Sequence, residues 1–122
     1  MMSKKILVVD DDGAIQEVIK TCLEDLAGWQ VLLAGSGLEG LLIANSEPLD
    51  AILLDISMPK MNGIEMLQKL QENSTTRKIP VFLLTATTLS LDRQQLKQVA
   101  GVIVKPFNII KLVEQMSQSL GW

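Results

Sequence analysis

A doubly wound α/β fold, one parallel sheet with helices on both faces, is what this chain predicts. Two observations carry that expectation. Five short apolar runs, ILVV (6–9), VLLA (31–34), AILL (51–54), VFLL (81–84) and VIV (102–104), recur along the 122 residues. They lack the polar alternation of a sheet with one wet face, so each suits a strand covered on both sides. Between them lie segments with helical spacing, and strand followed by helix, five times over, implies parallel pairing.

Each element has its own signal. After the first run, Ile15, Val18, Ile19, Cys22, Leu23 and Leu26 form one helical stripe, ended by Gly28. Ser36 followed by Glu39 is a capping-box pattern. It opens a helix through Leu38, Leu41 and Leu42 that stops near Pro48. Asn62 can cap a helix carrying Ile64, Met66, Leu67 and Leu70. Thr88 or Ser90 can start a short, Gln-rich one through Leu91, Gln95, Leu96 and Val99. Asn108 can cap the last, with Ile109, Leu112, Val113, Met116 and Leu120 inward. The apolar stripes are read as core. Trp29 is placed over the start of the second strand, and Trp122 against the last helix or fraying. No linker or repeat divides the chain, so residues 1–122 read as one domain.

Composition narrows the chemistry. The net charge is −3 and no block of Lys and Arg offers itself to a phosphate backbone, which argues against direct nucleic-acid binding. There is no histidine, which removes Ser-His-Asp and Cys-His catalysis and His-ligated metals. Cys22 is the sole cysteine, so it has no disulfide partner in the chain and reads as a small core or half-buried residue. No apolar stretch has the length of a signal-peptide core or a membrane span, and a cytoplasmic location without membrane insertion is expected.

In open parallel sheets, ligands bind beyond the carboxyl ends of the strands. The first run is followed by Asp10, Asp11 and Asp12, the third by Asp55, the fourth by Thr85 and the fifth by Lys105. The second ends without a comparable polar residue. If strands one, three, four and five are neighbours, these groups meet on one rim. Carboxylates that close repel one another and favour a bound cation. With no His or usable Cys, an all-oxygen site suits Mg²⁺ or Mn²⁺. A carboxylate can serve as a nucleophile that forms an acyl phosphate, provided a metal, a lysine and short donors neutralise the phosphoryl oxygens. Asp12 reads as a helix cap or an exposed acid.

The blocks ILVVDDD, LLDISMPKMNG, FLLTA and VIVKPF, in this order and over almost the whole chain, resemble the four signature blocks of the receiver domain of two-component response regulators. The resemblance implies a flavodoxin-like (CheY-like) sheet of order 2-1-3-4-5. It implies that Asp55 accepts the phosphoryl group and that Asp11, Asp55 and the backbone carbonyl of Ser57 ligate Mg²⁺, with Asp10 acting through a metal-bound water. Thr85 matches the hydroxyl residue that turns toward the phosphoryl group. Lys105 matches its lysine partner, with a cis bond to Pro106. Ala86 matches a small residue that leaves access, and Ser57 and Thr87 match variable positions that tune hydrolysis. Pro59 stiffens the loop after the acceptor, and Gly63 permits tight backbone near the next helix.

The chain departs from the pattern in three places. Val102 stands where the family often has Tyr or Phe, and a stiff Val offers no ring to swing. The stretch from Thr85 to Lys105 is shorter than usual, and Asn62 stands where Asp is common. The sequence stops at Trp122, right after the fifth helix, and a stand-alone receiver with no output domain is expected. It would be phosphorylated by a histidine kinase or histidine phosphotransfer domain and read by a downstream protein target, without being a turnover enzyme. The alternative is a degenerate receiver acting as a constitutive binding module. A haloacid-dehalogenase-type phosphatase would need an acidic pair after the lysine, where only Glu114 follows. GSGLEG (35–40) matches a dinucleotide fingerprint by letter, but it follows the second strand and its acidic partner would have to be Asp55.

Overall fold

Five strands lie side by side in the order β2-β1-β3-β4-β5, all parallel, in a computed structural model that describes residues 4–56, 63–85 and 91–122. They are β1 (Lys5–Val9), β2 (Gln30–Ala34), β3 (Ala51–Asp55), β4 (Val81–Thr85) and β5 (Gly101–Val104). The helices are α1 (Gly13–Ala27), α2 (Gly37–Ser46), α3 (Gly63–Glu72), α4 (Arg93–Lys97) and α5 (Ile109–Leu120). The predicted fold class and strand order are those observed.

The apolar runs are covered as their composition requires. Every residue of β3 and β4 is buried, as are four of the five in β1, whereas the edge strands β2 and β5 are only partly covered. Alternate residues feed two cores. Ile6, Val8, Leu53, Phe82 and Leu84 pack with Ile19 and Leu23 of α1 and Leu112 and Met116 of α5. Leu7, Val9, Ile52, Leu54 and Leu83 pack with Ala44 of α2 and Met66, Leu67 and Leu70 of α3. The period-2 alternation of strand side chains thus assigns one helix pair to each face.

Caps set the helix entries. The Asp12 side chain accepts from the N–H groups of Ala14 and Ile15, Ser36 from Glu39, and Asn108 from Ile110 and Lys111. Gly28, at φ 70°, ends α1 in the left-handed region that glycine tolerates best. The box with both reciprocal bonds belongs to α4, where Asp92 and Gln95 each accept from the other's backbone N–H. The fourth helix therefore starts at Arg93, just after the Asp92 cap, and spans five residues, leaving Leu91 and Val99 outside it. Asn62, Thr88 and Ser90, the other cap candidates, lie outside the described residues.

Not every apolar residue at helical spacing is core. Leu38 and Leu42 are 63% and 67% exposed, and Val18, Leu26 and Leu96 also face solvent. The cause in α2 is close approach. The helix turns Gly37, Gly40 and Ala44 inward, and a Cβ on Gly40 would come within 2.8 Å of Met66 Cε and 3.0 Å of Val9 Cγ2. Small residues therefore occupy the contact, and the leucines that a stripe-reading assigns inward point out. Trp29 is buried, and Trp122 packs on it edge-to-face at 5.2 Å rather than fraying, with Lys4 Nζ 5.0 Å from the Trp122 ring centre.

Candidate functional site

The strand order puts the carboxyl ends of β1 and β3 side by side, with β2 beyond β1 and β4 beyond β3. Asp10 follows β1 directly and Asp55 is the last residue of β3, so the two acids leave adjacent strands at one level. Leu84 pairs with Asp55, and Thr85 ends β4 one residue further on. Val104 pairs with Thr85, so Lys105 leaves β5 at the same rim, and its N–H donates to the Thr85 carbonyl at 2.7 Å.

One carboxylate oxygen from each of Asp10, Asp11 and Asp55 lies within 4.8 Å of the others. Asp10 is 1% exposed and Asp55 3%, while Asp11 is open to solvent. Lys105 Nζ lies 3.2 Å from Asp55 Oδ2. Thr85 is buried beside this group. The Lys105–Pro106 bond is cis.

Asp10 is the strained member. Its Oδ1 accepts from the Asp12 N–H at 2.9 Å, while Oδ2 is buried with no hydrogen-bond partner. Its pKa is pushed up from 3.8 to about 6. Burial is the main cause, and the Asp55 and Asp11 charges add to it; the Asp12 hydrogen bond and the Lys105 charge oppose it. A buried carboxylate oxygen without a donor, inside a triad of hard oxygens, fits a small divalent cation. The donor set thus suits Mg²⁺.

The sequence-predicted acids, Thr85 and Lys105 are therefore brought to one rim. Ser57, Pro59, Ala86 and Thr87 lie outside the described residues. Asp12 serves as the α1 cap and is exposed. Gly63 is positioned as read: a Cβ there would meet Ile56 Cα at 2.5 Å and Asp55 O at 2.6 Å. The start of α3 thus presses on the backbone of Asp55 itself.

Two features escaped the sequence reading. Gln16 Nε2 donates to the carbonyls of Asp10 and Ala34, the latter at 2.8 Å. Its place four residues into α1, over the ends of β1 and β2, was the available signal. The other is an apolar groove of about 560 Å³ along α1, whose walls include Ile15, Val18, Cys22, Pro106 and Phe107, with Lys105 at its edge. Only the three-dimensional pairing of α1 with the segment after β5 creates it.

The profile of the response regulator receiver domain matches residues 6–117. Among curated proteins, the chain is 29% identical over 122 residues to the polar-differentiation response regulator DivK of Brucella ovis, covering 98% of each. It is 38% identical over 109 residues to the probable transcriptional regulator ycf29 of Pyropia yezoensis, covering 88% of this chain and spanning about half (49%) of that relative. Among solved structures, the chemotaxis protein CheY4 of Vibrio cholerae superposes with a TM-score of 0.88 at 32% identity, over 97% of this chain and 99% of that one. The receiver domain of the sensor histidine kinase PA1611 from Pseudomonas aeruginosa PAO1, described with a magnesium ion coordinated in its active-site cleft, superposes at 0.87 and 28% identity, over 99% and 100%.

Proposed function

The chain belongs to the response regulator receiver family of phosphorelay signalling, and from that premise we propose that Asp55 is its phosphoryl acceptor, with Asp10, Asp11 and Asp55 holding Mg²⁺. The observation that carries this is the convergence of three carboxylates and Lys105 at the carboxyl ends of adjacent strands.

The Asp55 carboxylate attacks the phosphorus of a phosphohistidine. A P–O bond forms as the P–N bond breaks, and the departing imidazole nitrogen keeps the electron pair and takes a proton from water. A bound Mg²⁺ supplies positive charge to the phosphoryl oxygens. Lys105, already against Asp55, neutralises a further oxygen, and Thr85 offers a hydroxyl at the same rim. The Ser57 carbonyl completes the proposed ligand set. The acyl phosphate that results carries up to two negative charges where Lys105 formerly met a carboxylate carrying one. That change biases a two-state arrangement of the β4 and β5 ends, which a downstream protein reads.

Partners follow from the same geometry. A histidine kinase or phosphotransfer domain must bring its phosphohistidine to the rim, and the groove along α1 next to Lys105 offers apolar contact beside it. Among the described residues no helix is long and apolar enough to cross a membrane. The cytoplasm, where such donors work, is the proposed location. The chain acts on its own aspartate and is not proposed as a turnover enzyme.

The test is exposure to acetyl phosphate with and without Mg²⁺. Wild type should gain the mass of one phosphoryl group only with Mg²⁺, and Asp55→Asn should gain none. No gain with any phosphodonor would turn the assignment toward a constitutive binding module.

A further inference from the structure

We propose that Gln16 is a positioning residue for the cation site: its side-chain amide clamps the carbonyls of Asp10 and Ala34 and thereby fixes the peptide from which Asp11 departs. The inference rests on the receiver reading of the acid cluster.

A primary amide nitrogen carries two N–H groups, and Gln16 Nε2 gives them to two carbonyls on neighbouring strand ends. Ala34 O also accepts from the Asp10 N–H at 3.0 Å. Asp10 is thus held on every side but one. Its N–H goes to Ala34, its carbonyl to Gln16 and its Oδ1 to the Asp12 N–H. Only Oδ2 is left over, in the cluster with Asp11 and Asp55. The Asp10 carbonyl and the Asp11 N–H belong to one planar peptide, so the Gln16 bond sets the plane of that peptide and with it the direction of the Asp11 side chain. The end of β2, which contributes no polar side chain, contributes its last carbonyl instead. An amide suits this role because a carboxylate of the same shape would set acceptor against acceptor.

The test uses the full chain with Gln16→Met, which keeps the length and removes both donors. Mn²⁺ binding is followed by the paramagnetic resonance signal of the free ion, independently of any phosphorylation. Affinity should fall roughly tenfold, the lower end of what outer-shell partners of metal ligands contribute. The Mg²⁺ concentration for half-maximal phosphorylation by acetyl phosphate should rise in parallel, while the rate at saturating Mg²⁺ stays near wild type. A merely structural bond would not separate those two quantities. Gln16→Asn, too short to reach both carbonyls, should show the same split and serves if the Met variant does not fold. Unchanged Mn²⁺ affinity in a folded variant would overturn the role of Gln16 and leave the receiver reading intact. A rate deficit that saturating Mg²⁺ fails to repair would overturn it too. Absence of Mn²⁺ binding by wild type would instead bring down the receiver reading and this inference with it.

Discussion

Lys105 Nζ reaches 3.2 Å from Asp55 Oδ2 although β4 lies between the strands that carry them. Such a reach requires Lys105 to bend back over the end of β4, where its own N–H is already tied to the Thr85 carbonyl. The lysine side chain is 28% exposed and the aspartate side chain 5%. Lys105→Met should lower the rate of phosphorylation by acetyl phosphate by about 10²-fold, the scale of losing one preorganised charge-stabilising donor. Because water screens the lysine, the cost in fold stability should be only about 1 kcal/mol. Phosphorylation kinetics and urea denaturation read the two effects separately.

The Asp10 carboxyl predicts a pH dependence. Its pKa is higher in the fold, about 6, than the ordinary 3.8, so the folded chain holds this proton more tightly than the unfolded one. The protonated acid therefore favours folding below about 3.8, and that contribution is lost as pH rises through about 6. Above that, the ionised group opposes folding by roughly 3 kcal/mol. Without divalent ions, urea denaturation should show stability falling between about pH 4 and pH 7. Asp10→Asn should flatten the decline and be the more stable protein at neutral pH.

Mg²⁺ should reverse that penalty by mass action. At about 100 times its dissociation constant, a ligand selective for the native state adds roughly 2.7 kcal/mol. Thermal unfolding at neutral pH should shift upward with Mg²⁺ in wild type and barely move in Asp11→Asn or Asp55→Asn.

Gly63 tests how closely α3 presses on the acceptor. Gly63→Ala forces a methyl against Ile56 Cα and Asp55 O, backbone atoms that cannot swing aside. A loss of about 1–3 kcal/mol is expected. Phosphorylation should slow as well, since relief of the clash displaces Asp55. Urea denaturation and the acetyl phosphate assay check both.

Trp122→Ala supplies the contrast. It removes an edge-to-face ring contact and the ring beneath Lys4, and should cost about 1–2 kcal/mol. Trp29 precedes β2, so this contact lies at the amino end of the sheet, away from the acids. The phosphorylation rate should be unchanged.

The strands were legible because β3 and β4 are buried on both faces, which leaves no polar residue in their runs. The acids, Thr85 and Lys105 were legible because parallel strands all end on one side, so position after a run becomes position in space. Leu38 and Leu42 were misread because helical spacing reveals a stripe but not which stripe faces inward. Gly37, Gly40 and Ala44 decide that by allowing close approach, and small residues leave little mark in an apolar pattern. The start of α4 was misplaced because Thr88, Ser90 and Asp92 are all plausible caps, and only Asp92 has Gln95 three residues on to close the box. Gln16 went unnoticed because its two acceptors are main-chain carbonyls, which no side-chain motif advertises.

The chain has two tryptophans and no tyrosine, and those two touch each other. Its intrinsic fluorescence therefore comes from a single spot at the end of the sheet remote from the acids. That emission will follow denaturation and stay silent to cations or phosphoryl groups at the opposite rim, an optical gauge of folding that ligands do not contaminate.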